Sequence, residues 1–388
     1  MRVLFVTPFY AESYVMGGMA IAPAQWAETL VAYGLEVDVF TTTANGSDDL
    51  DVPLGVPIEH GGVSITYFPR LRQSGNLFVS LPLLHKCQQT MATYDIVHSI
   101  GLWTFPSIIS SIIARRSKIP YALSLHGMLM PWAYNRHGMR KKLLLKLLEK
   151  KRISRAHSVF CTTDLEMRYF QQLGFGAAEI VPNIVSPPDM DVDEARSRFR
   201  QRFRLENKTV LLFAGRLVRN KGVHLTISAF KKIAAKHPET KLIIVGPFED
   251  EAGQLAQQQV MDLKLDERVL FLGLQTGLDY WDSIAGADLF VLNSYSENFG
   301  MAPAEALSVG IPVLLSDQVG IANLVRHYNA GEITSLDVDD IAETLNMMVA
   351  DKDNLAAMGK NGIQLVQDHF SSIAVGQRLA DLLTVYQK

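Results

Sequence analysis

The chain is 388 residues long, 48% hydrophobic and 20% charged, with a formal net charge of −3. This length exceeds what one hydrophobic core organises and predicts two domains, while the composition is that of an ordinary globular protein with no surplus of charge for nucleic acid. No run approaches eighteen apolar residues, no secretory cleavage pattern follows Met1, and the two distant cysteines, Cys87 and Cys161, fit no metal spacing, so a reduced cytoplasmic setting is expected.

Short apolar runs at 2–7, 36–42, 63–68, 95–99, 120–125, 157–162 and 179–181 alternate with amphipathic stretches, which predicts βαβ units and a parallel sheet. After the first run comes Met16-Gly17-Gly18-Met19. Glycine lets backbone N–H groups approach an anion, but the loop before Gly17 is too long for a dinucleotide fingerprint, and a plain turn is the simpler reading. His126 follows the run at 120–125, where an imidazole would face a ligand at the sheet's carboxyl end.

Residues 1–180 carry 17 Lys+Arg against 13 Asp+Glu, and the excess lies in residues 136–155, RHGMRKKLLLKLLEKKRISR. A helix there groups Leu143, Leu144, Leu147 and Leu148 on one face among Arg140, Lys141, Lys142, Lys146, Lys150, Lys151 and Arg152. Two readings stay open: docking on an anionic membrane, or an ordinary helix with its leucines in the core and its lysines in water.

Residues 182–203 are rich in proline and charge and read as a break between domains. The strand pattern restarts at 209–214, 241–245, 268–272, 288–292 and 312–315. Gly215-Arg216-Leu217 and Lys221-Gly222 follow the first of these, placing two cations where a diphosphate would sit. The segment 293–315, NSYSENFGMAPAEALSVGIPVLL, puts Glu297 before a helix that starts near Gly300 and carries Glu305. Carboxylates accept hydrogen bonds from neutral hydroxyls, and a helix start suits phosphate. Asp-x-Asp occurs at Asp49/Asp51, Asp191/Asp193 and Asp337/Asp339; all three read as solvated acids rather than a metal site.

Together Glu297 to Glu305 with Phe299-Gly300 between them, Gly215-Arg216-Leu217 with Lys221-Gly222, Gly17-Gly18 and His126 resemble the retaining glycosyltransferases of family 4. The resemblance implies the α/β GT-B fold, two Rossmann-like doubly wound domains facing across a cleft. The expected organisation is an acceptor-binding domain over 1–187, a linker over 188–207, a donor-binding domain over 208–368, and a closing helix over 369–388 that packs back on the first domain. By the resemblance, Glu297 and the N–H groups of Asn298, Phe299 and Gly300 hold the donor sugar, and Glu305 holds the ribose. Arg216 and Lys221 bind the diphosphate with Gly18 and the Gly300–Met301 helix start, Leu274 meets the nucleobase, and His126 serves the sugar. No metal or cofactor is implied beyond the nucleotide-sugar donor. The acceptor would be a sugar, a small molecule or a lipid-linked group, with the protein peripheral on the inner membrane face in the last case. The family usually has Glu-Gly-Phe-Gly where this chain has Glu297-Asn298-Phe299-Gly300, and asparagine is the residue after glycine that best tolerates a left-handed turn. Rival readings are an epimerase or hydrolase of the same fold, a non-catalytic nucleotide-sugar-binding subunit and, more remotely, a Rossmann oxidoreductase.

Overall fold

The first half forms β1 (Arg2–Val6), β2 (Glu36–Thr42), β3 (Ala44–Asn45), β4 (Asp48–Asp49), β5 (Pro57–His60), β6 (Val63–Phe68), β7 (Ile96–Ile100), β8 (Tyr121–Ser124), β9 (Ser158–Cys161) and β10 (Glu179–Ile180); β1, β2 and β6 to β9 are the largely buried strands, and the short β3 and β4 pair apart from the main sheet. This computed structural model describes residues 1–13, 17–135, 138–248 and 251–385; Met16 and residues 136–137 lie outside the described residues, and so does the side chain of Arg140. The chain divides into two units, Met1–Ile184 with Ser371–Lys388, and Val185–Phe370.

The first unit's sheet runs β10-β9-β8-β7-β1-β2-β6-β5. Its strands are parallel except β5, which pairs antiparallel with β6 along an exposed edge and lacks the apolar pattern of the others. From β1 the chain winds one way to β2 and β6, then the other way through β7 to β10, so the switch point lies between β1 and β7.

In the second unit β11 (Thr209–Ala214), β12 (Thr240–Val245), β13 (Val269–Gly273), β14 (Leu289–Leu292), β15 (Val313–Ser316) and β16 (Gly331–Thr334) form an all-parallel sheet in the order β13-β12-β11-β14-β15-β16. Both faces are covered, and β11, β14 and β15 are buried along their whole length, as parallel strands between helix layers must be. Here the switch point falls between β11 and β14, and ligands of doubly wound sheets bind outside the strand ends at such points.

The linker expected over 188–207 is corrected. Residues Val192–Phe203 form a helix that Asp191 caps by accepting the Glu194 N–H at 3.0 Å, and Ala195 and Phe199 are buried. Its arginines are stitched to acids of the second unit: Arg198 to Asp282 at 2.7 Å, Arg200 to Asp288 at 2.7 Å and Arg202 to Asp279 at 2.9 Å. The charge of this segment is therefore paired rather than solvated. From Ser371 the chain belongs to the first unit, where the helix Ser372–Thr384 lies against the helix Gly18–Ala32. Tyr33 there donates its hydroxyl to the Ile373 carbonyl at 3.1 Å, and a Cβ on Gly376 would come within 2.4 Å of Thr29.

Candidate active site

The two segments leaving β11 and β14 are sewn together. Asn220 donates its amide to the Ser296 carbonyl at 2.7 Å, while its own carbonyl accepts the Ser294 hydroxyl at 2.9 Å and the Tyr295 N–H at 2.8 Å. Between them the chain passes so closely that a Cβ on Gly222 would sit 1.9 Å from the Asn293 carbonyl oxygen, and Gly222 is left-handed at φ 70°. No other residue fits that position. Gly222→Ala is expected to force the segments apart and destabilise the unit by at least about 2 kcal/mol, lowering Tm by roughly 4–8 °C in a calorimetric scan.

This stitching delivers Lys221 to Glu297, and the two form an ion pair in which each side chain is 19% exposed. Glu297 is fixed from both sides, its N–H donating to the Gln318 carbonyl at 3.0 Å and its carbonyl accepting the Gly320 N–H at 2.9 Å. The helix Met301–Ser308 then starts from Gly300 at φ 101°, with Pro303 in its first turn, where a missing N–H costs no helical bond. Phe299 is buried with its ring 4.9 Å from Phe370, so the aromatic of this motif anchors the turn. Asn298 is not among the residues at positive φ. The left-handed position of the turn belongs to Gly300, so asparagine in place of glycine at 298 carries no backbone penalty. That corrects the reason given for its tolerance.

Arg216 is exposed immediately after β11. Leu274 is 64% exposed beside Gly273, the end of β13. Glu305 lies further along the helix Met301–Ser308, where burial raises its carboxyl pKa and a 2.5 Å hydrogen bond from the Tyr280 hydroxyl works against that rise. The neighbouring ends of β11 and β14 thus bring together two cations, a helix start and two carboxylates, an arrangement that can hold an anionic diphosphate beside a hydroxyl-rich group.

In the first unit Gly17, at φ 57°, caps the helix that begins at Gly18. His126, at φ 46°, is 9% exposed and its ring lies 5.0 Å from that of Trp26. Burial pushes its pKa down to about 4, so the imidazole is neutral at neutral pH. Its Nε2 has no hydrogen-bond partner among the described residues. Trp26 is stacked on His98 at 5.7 Å and donates its indole N–H to the Pro182 carbonyl at 3.0 Å. The loop after His126 is held by buried Glu166, which accepts the Gly127 N–H and, at 2.7 Å, the Thr162 N–H. Asn220, Tyr280, Trp26 and Glu166 went unnoticed in the sequence. Only Asn220, adjacent to Lys221, had a neighbour that could have drawn attention to it.

A profile of the glycosyl transferases group 1 matches residues 195–365, and one of the glycosyl transferase 4-like domain matches residues 17–184. The chain belongs to the family 4 type of glycosyltransferases. It is 24% identical over 371 residues to a D-inositol 3-phosphate glycosyltransferase of Corynebacterium jeikeium, covering 89% of this chain and 86% of that protein. With the putative glycosyltransferase YtcC of Bacillus subtilis it shares 28% over 203 residues, 50% of this chain and 48% of that one. The chain thus spans about half the length of several curated relatives it matches. Among solved structures, Anabaena HepE in complex with UDP and glucose superposes with a TM-score of 0.77 at 22% identity, over 99% of this chain and 100% of that one. The fold is GT-B, with two parallel-sheet units.

Two further expectations need correction. The Asp-x-Asp acids are not merely solvated: Asp49 holds Arg70 and Arg72, both at 2.7 Å, and Asp191 and Asp337 cap helices. In the basic segment Arg152 is not a surface cation. It is buried on Glu149 and bonded to Ser107 and Ser111 at 2.8 Å, while Glu149 accepts the Trp103 N–H at 3.1 Å. Nor do the leucines face the core. Leu143, Leu144 and Leu147 are 57%, 37% and 66% exposed, and Leu145 and Ile153 are the buried ones.

Proposed function

We propose that this glycosyltransferase takes a hexose from a nucleoside-diphosphate sugar and transfers it to a hydroxyl acceptor with retention at the anomeric carbon and without a metal. The observation that carries the reading is the Lys221–Glu297 pair at the switch point of the second sheet. An arriving diphosphate competes for the ammonium, and the released carboxylate then accepts bonds from the sugar hydroxyls, so the pair keeps both groups side by side for the donor. Support comes from HepE, whose structures contain UDP and UDP-glucose, and from relatives that include D-inositol 3-phosphate glycosyltransferases.

In this reading Arg216, Lys221 and the helix start at Gly300 and Met301 neutralise the diphosphate as it leaves. Glu297 and the backbone of Asn298, Phe299 and Gly300 hold the sugar, Glu305 holds the ribose, and Leu274 lies by the base. The bond from the anomeric carbon to the leaving phosphate oxygen breaks while the acceptor oxygen attacks from the same face. The acceptor's proton passes to that phosphate oxygen. Cations fixed before the reaction stabilise the charge that develops there, so no protein nucleophile is required.

The test is transfer in the presence of EDTA, with the product's anomeric configuration read by NMR. Activity is expected to persist and the configuration to match the donor; loss of activity restored by Mg²⁺ or Mn²⁺ overturns the metal-free mechanism. Fast turnover of donor without acceptor would favour the epimerase or hydrolase reading.

The exposed Leu143, Leu144 and Leu147 stand among exposed Lys142, Lys146, Lys150 and Lys151, with Trp132 51% exposed nearby in sequence. Among the described residues no helix is long and apolar enough to cross a membrane. We place this face on the anionic inner surface of the cytoplasmic membrane, where a lipid-linked acceptor in polysaccharide, glycolipid or other glycoconjugate synthesis would be reached.

A further inference from the structure

Glu305 and Tyr280 meet from different helices of the second unit. Tyr280 stands on the helix Gly277–Ala285, which leaves the loop after β13 that bears Leu274. Glu305 stands on the helix Met301–Ser308, which leaves the Glu297 turn. The phenol donates a 2.5 Å hydrogen bond to Oε2 of the carboxylate. Behind it the helix Gly277–Ala285 is pinned: Arg198 holds Asp282 at 2.7 Å, Arg202 holds Asp279 at 2.9 Å, and Ser283 and Ile284 are buried. The Tyr280 ring packs on the unit's core, edge-on to Trp281 at 6.0 Å. Its hydroxyl is therefore a fixed point, and the carboxylate is the group held to it.

An ionised carboxylate has about four lone-pair positions on two oxygens. The phenol takes one on Oε2 and stops rotation about the last torsion of Glu305, so Oε1 keeps one direction. A ribose presents two neighbouring hydroxyls, both donors. A glutamate free to rotate loses that freedom when it engages them, whereas one already held has lost it on folding.

We propose that Tyr280 is a positioning residue for the donor's ribose: it holds the Glu305 carboxylate in the orientation that accepts the 2′ and 3′ hydroxyls, and so sets the preference for ribonucleotides over 2′-deoxyribonucleotides. The inference rests on the assignment of Glu305 to the ribose. It also gives the phenol a second consequence, because Tyr280 ties the ribose contact to the helix that carries the nucleobase loop.

The test is calorimetric titration of UDP, GDP, ADP and their 2′-deoxy counterparts into the full chain as wild type, Tyr280→Phe, Glu305→Ala and the double variant, each checked by a melting curve. Tyr280→Phe is expected to weaken the preferred ribonucleotide about tenfold and its 2′-deoxy counterpart less than about twofold. In the Glu305→Ala background the same substitution is expected to change affinity by less than about twofold, since its effect passes through the carboxylate. Equal weakening of both nucleotides, or a full additional loss in the double variant, would make Tyr280 a packing residue and overturn the proposal. A ribonucleotide preference that survives Tyr280→Phe overturns it as well, leaving the donor site intact. If the wild type binds none of the three diphosphates, the donor-site reading itself fails and takes this inference with it.

Discussion

Lys221→Ala and Arg216→Ala are each expected to lower kcat/KM by about 10²–10³, the loss associated with one preorganised donor to a developing negative charge. The two side chains differ in a way that makes the comparison informative. Arg216 is exposed, and a change at an exposed side chain costs little stability, so Tm should move by no more than about 1–2 °C. Lys221 is four-fifths buried against Glu297, and its loss leaves a carboxylate without its cation beside the sugar. Lys221→Ala should therefore combine the kinetic defect with a modest fall in stability, on the order of 1–3 kcal/mol, for a polar group left unpaired. Steady-state kinetics with the donor varied, alongside thermal denaturation of both variants, separates these effects. A loss below tenfold in both variants would remove the two cations from the diphosphate site.

How far the sequence was legible depends on whether the partner lies nearby along the chain. β11 and β14 were readable because strands buried on both faces are written as unbroken apolar runs, TVLLFA and LFVL. Lys221 and Glu297 were readable because each sits at a fixed offset from such a run. Tyr280 was not: it lies 25 residues from Glu305 and meets it only through packing of two helices. The helix Val192–Phe203 was mistaken for a linker because its arginines find Asp279, Asp282 and Asp288 some eighty to ninety residues away. Composition alone shows such a segment as charged and solvated. Strand β5 was missed for the opposite reason, since an exposed edge strand needs no apolar face.

The basic segment shows a subtler failure. A regular helix puts Leu143, Leu144, Leu147 and Leu148 on one face, and it equally puts Leu145, Glu149, Arg152 and Ile153, at i, i+4, i+7 and i+8, on the opposite one. The second face is the buried one, and its charges, Glu149 and Arg152, neutralise one another, which is why composition hid it. Leu148 is left half-buried, and Leu143, Leu144 and Leu147 remain outside.

Replacing Lys142, Lys146, Lys150 and Lys151 by Gln is expected to weaken binding to anionic vesicles by several kcal/mol, on the order of 1 for each charge. All four are exposed, whereas Lys141 bonds the Ala133 carbonyl and Arg152 is buried, so neither of those belongs in the variant. Binding of the wild type should fall steeply with salt as the Debye length shrinks from roughly 10 Å at 0.1 M to 3 Å at 1 M. The apolar part should behave differently. Leu147→Ser removes exposed apolar surface without touching charge, so it should weaken binding at low and high salt alike. Affinity for nucleoside diphosphates should be unchanged in every one of these variants, because none of the substituted residues is among those proposed to hold the diphosphate. Co-sedimentation with phosphatidylglycerol vesicles and with neutral phosphatidylcholine vesicles at both salt concentrations reads all of this directly. If the wild type stays in the supernatant with anionic vesicles at 0.1 M salt, the exposed leucines do not face a membrane, and the acceptor is a soluble molecule.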